Sequence, residues 1–477
     1  MAAVMILSMA GMVMADEIPA EYTQVKVFDG TYGFGDAEIT AATNDDQSAF
    51  YITFVCFDED QILEGTIADG VVSVDYDLTG FVAGDAQLIW DDAVASDEPW
   101  NPVGGAAPAE ETAAPAEDVV IDYAFDGSWP EEQIKIAVET FDTTDEQFLA
   151  IHDYFDYLEE NFNLSFTYSE SIGSAEDEIA FIDSAAAAGC KGLFAHYNVT
   201  EAEAVKECEA HGMYYVGATD GDFLASVLDN PNFTGTYQLM GSNGDTEHNG
   251  EYLAGYEMGY AIANMGYQHI AYCEGGASFG VQMFIDRKDG FIAGLEAAGY
   301  ENFSDADIVS GWPGTDDFLA AQSAVIAGDY DAVVSSFNVA MWFQPVMESG
   351  RDIGLAAIGE ANDTYVTFFD MGIVKCIVYD CEETVFGLYV PMLVNAIMGY
   401  EDMAKDNGQG LVIPASRWTF TEAEQIDAVY AYHEDGNWFV DAETMAAAFK
   451  GLNPAATADT YEEVFNLTLD EALAKIQ

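Results

Sequence analysis

His269-Ile270-Ala271-Tyr272-Cys273 runs into Glu274-Gly275-Gly276-Ala277-Ser278-Phe279-Gly280, and beyond it lies Arg287-Lys288-Asp289-Gly290-Phe291-Ile292-Ala293-Gly294-Leu295. A short apolar run, a glycine-rich turn and apolar residues at helical spacing (Ile292, Leu295, Ala298) predict a strand–turn–helix unit. In sheets built from such units, ligands gather at the carboxyl ends of the strands. A guanidinium there offers paired donors to adjacent oxygens. Arg287 is one of three arginines in 477 residues, so its position marks a candidate ligand contact.

Similar units extend on both sides. Apolar runs at 134–138, 164–168, 193–197, 214–218 and 237–240 alternate with helical stretches, and a second series follows at 269–273, 307–310, 331–337, 355–359 and 375–379. In the first helix Phe148, Ile151, Phe155 and Leu158 share one face, with Asp142, Thr143, Thr144 and Asp145 as cap candidates. Two successive alternating sets predict an α/β fold of two doubly wound parallel-sheet lobes joined by a hinge. The cleft between such lobes is a common ligand site.

The ends of the chain read differently. Residues 1–15 are apolar and end Val13-Met14-Ala15, the small-residue pattern of a signal peptide. Residues 16–100 form a small antiparallel β module, with strands expected at Ala49-Phe50-Tyr51-Ile52-Thr53-Phe54-Val55 and around Val71-Val72-Ser73-Val74. Residues 101–118, rich in Pro, Ala, Gly and Glu, are expected to be a flexible linker. Residues 421–477 are a C-terminal extension, with a hairpin expected around Glu434-Asp435-Gly436-Asn437.

Composition narrows the function. The formal charge is −74, from 86 acidic and 12 basic residues, a field that repels phosphate backbones and argues against nucleic-acid binding. The apolar share of 50% supplies large cores. The six cysteines contain no Cys-x-x-Cys pair, so buried free thiols are expected and neither a metal nor a cofactor is. The six histidines are isolated, and no Gly-x-Ser-x-Gly elbow or phosphate loop is present; the chain does not read as an enzyme.

The Arg287–Leu295 segment resembles the Arg-x-x-Gly-Phe-x-x-Ala/Gly-Leu helix start of type I periplasmic solute-binding proteins, the ribose- and galactose-binding-like group. Met240-Gly241-Ser242-Asn243 is similar to the family's crossover into the second lobe. Tyr330-Asp331-Ala332-Val333-Val334-Ser335-Ser336-Phe337-Asn338 resembles its strand ending in Asn-Asp, although Val339 stands where the acid is expected. Ile358-Gly359-Glu360 is similar to the hinge strand, and Gly372 to Asp380 to the strand that ends in a ligand-facing Gln or Asp. The resemblance implies a first lobe from 119–240 and 361–412, and a second from 241–360 and 413–420.

It also implies a ligand. Family members capture a small molecule, most commonly a sugar, and deliver it to a membrane ABC permease. A sugar needs planar donors and acceptors around its edge and aromatic rings on its faces. Arg287 is the candidate donor; Asp142, Asp220 and Asp380 are candidate acceptors; Asn338 does both. Phe141, Trp312 and Trp342 are the candidate stacking walls. The expectation is an exported, monomeric sugar-binding protein at the cell surface or in the periplasm. Alternatives are a nucleoside ligand, or a surface sensor or adhesion protein whose lobes signal.

Overall fold

The computed structural model describes residues 22–32, 35–44, 48–56, 59–68, 71–74, 89–90, 93–94, 100–102, 121, 123–218, 221–240, 248–312 and 314–476. The chain divides into two compact units, Met1–Asp118 and Val119–Gln477.

The first unit is an antiparallel sheet of β1 (Gln24–Tyr32), β2 (Gly35–Thr43), β3 (Ala49–Cys56), β4 (Glu59–Ala68), β5 (Val71–Val74) and β6 (Asn101–Pro102), in the order β5-β4-β3-β2-β1-β6. Ile39, Ala41, Phe50, Ile52 and Trp90 are buried. Asn101 and Pro102, expected to open the linker, instead pair with Val25 and Gln24; residues 103–118 lie outside the described residues.

The second unit opens with β7 (Ile134–Thr140), α1 (Glu146–Asn161), β8 (Leu164–Ser171), α2 (Ala175–Ala187), β9 (Gly192–Ala195), α3 (Glu201–His211), β10 (Tyr214–Gly217), α4 (Gly221–Val227) and β11 (Phe233–Met240). The repeat of this pattern is α5 (Gly250–Asn264), β12 (Ile270–Cys273), α6 (Gln282–Ala297), β13 (Ile308–Val309), α7 (Asp316–Ala327), β14 (Ala332–Ser335), α8 (Ala340–Ser349), β15 (Gly354–Ile358), α9 (Asp363–Asp370) and β16 (Val374–Tyr379). The chain closes with α10 (Tyr389–Ile397), β17 (Leu411–Ser416), β18 (Trp418–Phe420), α11 (Ala423–Glu434), α12 (Ala442–Ala447), α13 (Asp459–Phe465) and α14 (Leu469–Ile476).

The two sheets repeat one topology. Their orders are β8-β7-β9-β10-β11-β17 and β13-β12-β14-β15-β16-β18, each a 2-1-3-4-5 winding with one strand added at the edge. β17 is added parallel to β11 and β18 antiparallel to β16. Both faces of each sheet are covered by helices, so the central strands are buried throughout, as in Gly192–Ala195 and Ala332–Ser335. Phe148, Ile151, Phe155 and Leu158 are buried on α1 as their spacing predicts, and Asp145 caps the helix by accepting from the Phe148 N–H.

Strand register moves the expected lobe boundaries. Val374–Tyr379 pairs with β15 in the second sheet, so the chain returns to the first lobe after residue 380, not at 361. β17 belongs to the first sheet and only β18 to the second, so the last crossing falls between residues 416 and 418. The expected hairpin at Glu434–Asn437 is instead the end of α11, terminated by Gly436 at φ 78°.

The C-terminal segment packs on both lobes. Val440, Met445, Phe449, Tyr461 and Phe465 enter the first-lobe core, whereas Ile426, Val429, Phe439, Leu467 and Ala472 enter the second. The Trp418 indole donates to the Leu467 carbonyl at 2.7 Å and the Tyr154 hydroxyl to the Val440 carbonyl at 2.7 Å.

Candidate functional site

A 2-1-3-4-5 sheet opens a crevice beyond the carboxyl ends of its first and third strands, where the winding reverses. In the first lobe these are β7 and β9. Phe141 follows β7 and Tyr197 follows β9; their ring centroids lie 5.0 Å apart, and the side chains are 46% and 45% exposed. Apolar rings left in water at a strand end are surfaces for stacking. Below them His196 contacts Thr140 Oγ1 at 3.4 Å and Gln147 Oε1 at 3.0 Å, and burial pushes its pKa down to about 4. Asp142 accepts from the Thr144 N–H and hydroxyl at 2.9 and 2.7 Å, bonds that hold its carboxyl below the ordinary value.

In the second lobe the corresponding strands are β12 and β14. Gly275, at φ 56°, makes the turn after β12, and a Cβ there would meet the Phe284 ring at 2.8 Å. Trp312 lies parallel to Phe279 (centroids 6.2 Å, 4° between planes) and edge-on to Phe284 at 5.6 Å. Trp312 and Phe279 are 43% and 64% exposed. Asn338, exposed after β14, accepts the Ala340 N–H at 3.3 Å.

Arg287 lies at the floor of this region, 9% exposed. Its Nη1 donates to the Ser336 carbonyl at 2.7 Å and its Nε to Glu251 Oε2 at 2.5 Å. Glycines make this meeting possible. A Cβ on Gly290 would lie 1.8 Å from the Tyr252 carbonyl oxygen, and one on Gly255 would lie 1.9 Å from the Arg287 carbonyl oxygen. α5 and α6 therefore touch backbone to backbone, which brings Glu251 under Arg287.

Glu251 also receives Arg417, whose Nη2 is 3.6 Å from Oε1. The Arg417 fork grips Asp380 through Nε–Oδ1 at 2.5 Å and Nη2–Oδ2 at 2.8 Å, while Nη1 donates to the Gly250 carbonyl at 2.5 Å. Two of the chain's three arginines thus meet on one carboxylate. Arg417 binds the segment leaving β16 to the β17–β18 link and to the start of α5.

The sequence-derived candidates separate accordingly. Phe141, Asp142, Trp312 and Asn338 lie at strand ends around the crevice, and Arg287 at its floor. Trp342 does not: it is fully buried in the second-lobe core, edge-on to Phe318 at 6.2 Å, because α8 turns its apolar face inward. Asp380 is held by Arg417 rather than turned toward a ligand. Asp220 lies outside the described residues. The reading of the sequence missed Tyr197, Phe279, Glu251 and Arg417; for Arg417 the rarity of arginine was the available signal.

No family model and no curated protein matches the sequence. Solved structures similar to it include an ABC transporter periplasmic solute-binding protein from Actinobacillus succinogenes 130z with bound D-allose, at 13% identity, 62% of this chain, 99% of that chain and TM-score 0.47. The Caulobacter myo-inositol binding protein bound to myo-inositol is similar at 12% identity, 62% of this chain, 95% of that chain and TM-score 0.48. The transcription regulator CcpA of Lactococcus lactis is similar at 15% identity, 61% of this chain, 98% of that chain and TM-score 0.46. The paired 2-1-3-4-5 sheets with their added edge strands make a two-lobed, doubly wound α/β architecture. Among the described residues, no helix is long and apolar enough to cross a membrane.

Proposed function

We propose that the two lobes capture a small polar ligand, a sugar or polyol, and that the exported protein delivers it to an ABC importer. The observation that carries this reading is the pair of exposed aromatic surfaces, Phe141–Tyr197 and Phe279–Trp312, at the carboxyl ends of both sheets. Rings stack on the apolar C–H faces of a sugar, and Asp142 and Asn338 are placed to exchange hydrogen bonds with its hydroxyls. Arg287 supports the floor, and the Arg417 fork joins the crossing segments about which the lobes close.

A thermal-shift panel of neutral monosaccharides, polyols and nucleosides tests the reading. A true ligand at a hundredfold its Kd adds ~2.7 kcal/mol of stability. A response to nucleosides alone replaces the sugar, and silence across the panel counts against capture.

A surface-sensor role is a second reading, favoured by the separate six-stranded unit ahead of the lobes. Deleting residues 16–118 distinguishes the two: uptake that survives supports transport, and partner binding that is lost supports sensing.

A further inference from the structure

After Asp380 the segment leaving β16 continues Cys381-Glu382-Glu383, and Glu382–Phe386 winds as a π-helical turn. Such turns are rare and often mark functional sites. One ligand-type atom from each of Cys381, Glu382 and Glu383 lies within 4.8 Å of the others. Cys381 and Glu383 are completely buried and Glu382 is 4% exposed. Carboxylates do not share a water-free pocket unless a proton or a cation lies between them.

A fourth side chain stands beside Glu382: Glu360, beyond β15 and 9% exposed, whose Oε2 is buried with no hydrogen-bond partner. Glu383 is held as a metal-bound carboxylate would be: its Oε1 receives the Phe439 N–H at 2.9 Å and lies 3.0 Å from His433 Nε2, while its Oε2 is buried without a partner. Outer partners of this kind orient ligating groups. Tyr379 orients Glu382, its hydroxyl donating to Oε2 at 2.5 Å. The other charged groups nearby are Asp145, the cap of α1, and Asp380, already matched by Arg417.

We propose that Cys381, Glu382 and Glu383, with Glu360 beside them, form a binding site for a divalent cation of the zinc type. A mixed set of one sulfur and carboxylate oxygens suits Zn2+ better than the all-oxygen preference of Ca2+ or Mg2+. Zn2+ takes cysteine as the thiolate, so binding at Cys381 releases a proton. The bound ion would tie the crossing segment to the loop beyond β15 and, through His433 and Phe439, to the C-terminal segment. Cys381-Glu382-Glu383, at the start of a π-helical turn, has none of the Cys-x-x-Cys or His-repeat spacing on which the expectation of no metal rested.

The test uses the full chain, stripped with chelator and given Zn2+ alone. A competing chelator discounts the many surface acids. The expected result is one equivalent retained per chain, with proton release, and affinity lowered roughly 10–100-fold or more by Cys381→Ser or Glu383→Gln. Asp183→Asn, in the exposed Asp183–Glu207–His211 group, should leave that equivalent in place. Retention unchanged in Cys381→Ser and Glu383→Gln, or lost in Asp183→Asn, overturns the proposal. Should those variants fail to fold, Co2+ replaces Zn2+ in the unmodified chain: a thiolate-to-cobalt charge-transfer band supports the site, and its absence overturns it.

Discussion

Arg417 grips Asp380 through two parallel hydrogen bonds, at 2.5 and 2.8 Å, in a buried setting between the lobes. Removing one partner of such a pair strands the other charge. Asp380→Ala should therefore cost roughly 3–5 kcal/mol, read as a lower urea midpoint. Unchanged stability would mean that the crossing segments are held by something else.

The contact of α5 with α6 predicts a different failure. Gly290→Ala inserts a methyl group where the Tyr252 carbonyl already lies at 1.8 Å. The helices must separate, withdrawing Glu251 from Arg287, at a cost of about 1–3 kcal/mol. The thermal midpoint should fall accordingly, whereas Gly299→Ala, with no neighbour near its Cβ but φ at 75°, should lose only the smaller cost of its backbone.

The aromatic residues divide into ligand contacts and core. Phe141→Ala and Trp312→Ala should weaken sugar binding roughly 2–10-fold, the worth of one ring contact, with little change in unfolding. Trp342→Ala should instead cost roughly 3–5 kcal/mol of stability. Calorimetric titration beside denaturant unfolding separates the two outcomes; equal loss of stability in all three variants would contradict the assignment.

Glu139, fully buried at the end of β7, has its pKa pushed well above the ordinary value by burial and then by Glu178 beside it. The folded chain keeps that proton while the unfolded chain gives it up above about pH 4.5. The folded state binds more protons there, so the group's contribution falls as pH rises from that point toward the raised value. Glu139→Gln should raise stability at pH 8 by roughly 1–3 kcal/mol and little at pH 4. A variant that tracks the parent at both pH values would refute the buried neutral acid.

The two-lobed fold was legible because helix and strand periods are local. Phe148, Ile151, Phe155 and Leu158 needed only their spacing, and Arg287 was placed at its strand end by the turn before it. Its partner was not legible, because Glu251 arrives through the approach of two helices. The signal was indirect: Gly255 and Gly259 on one helix, Gly290 and Gly294 on the other. Trp342 shows the converse error. Phe343 and Val346 beside it already described an inward face, and nearness to a strand end was given too much weight. The strand switch after residue 380 rested on pairing in space, which sequence order alone does not encode.

Calorimetric titration of the full chain against neutral sugars and polyols tests the central claim most directly. The account predicts one saturable site per chain for at least one of them, weakened by both Phe141→Ala and Trp312→Ala. Absence of binding heat across the panel, or a site indifferent to both substitutions, would contradict it.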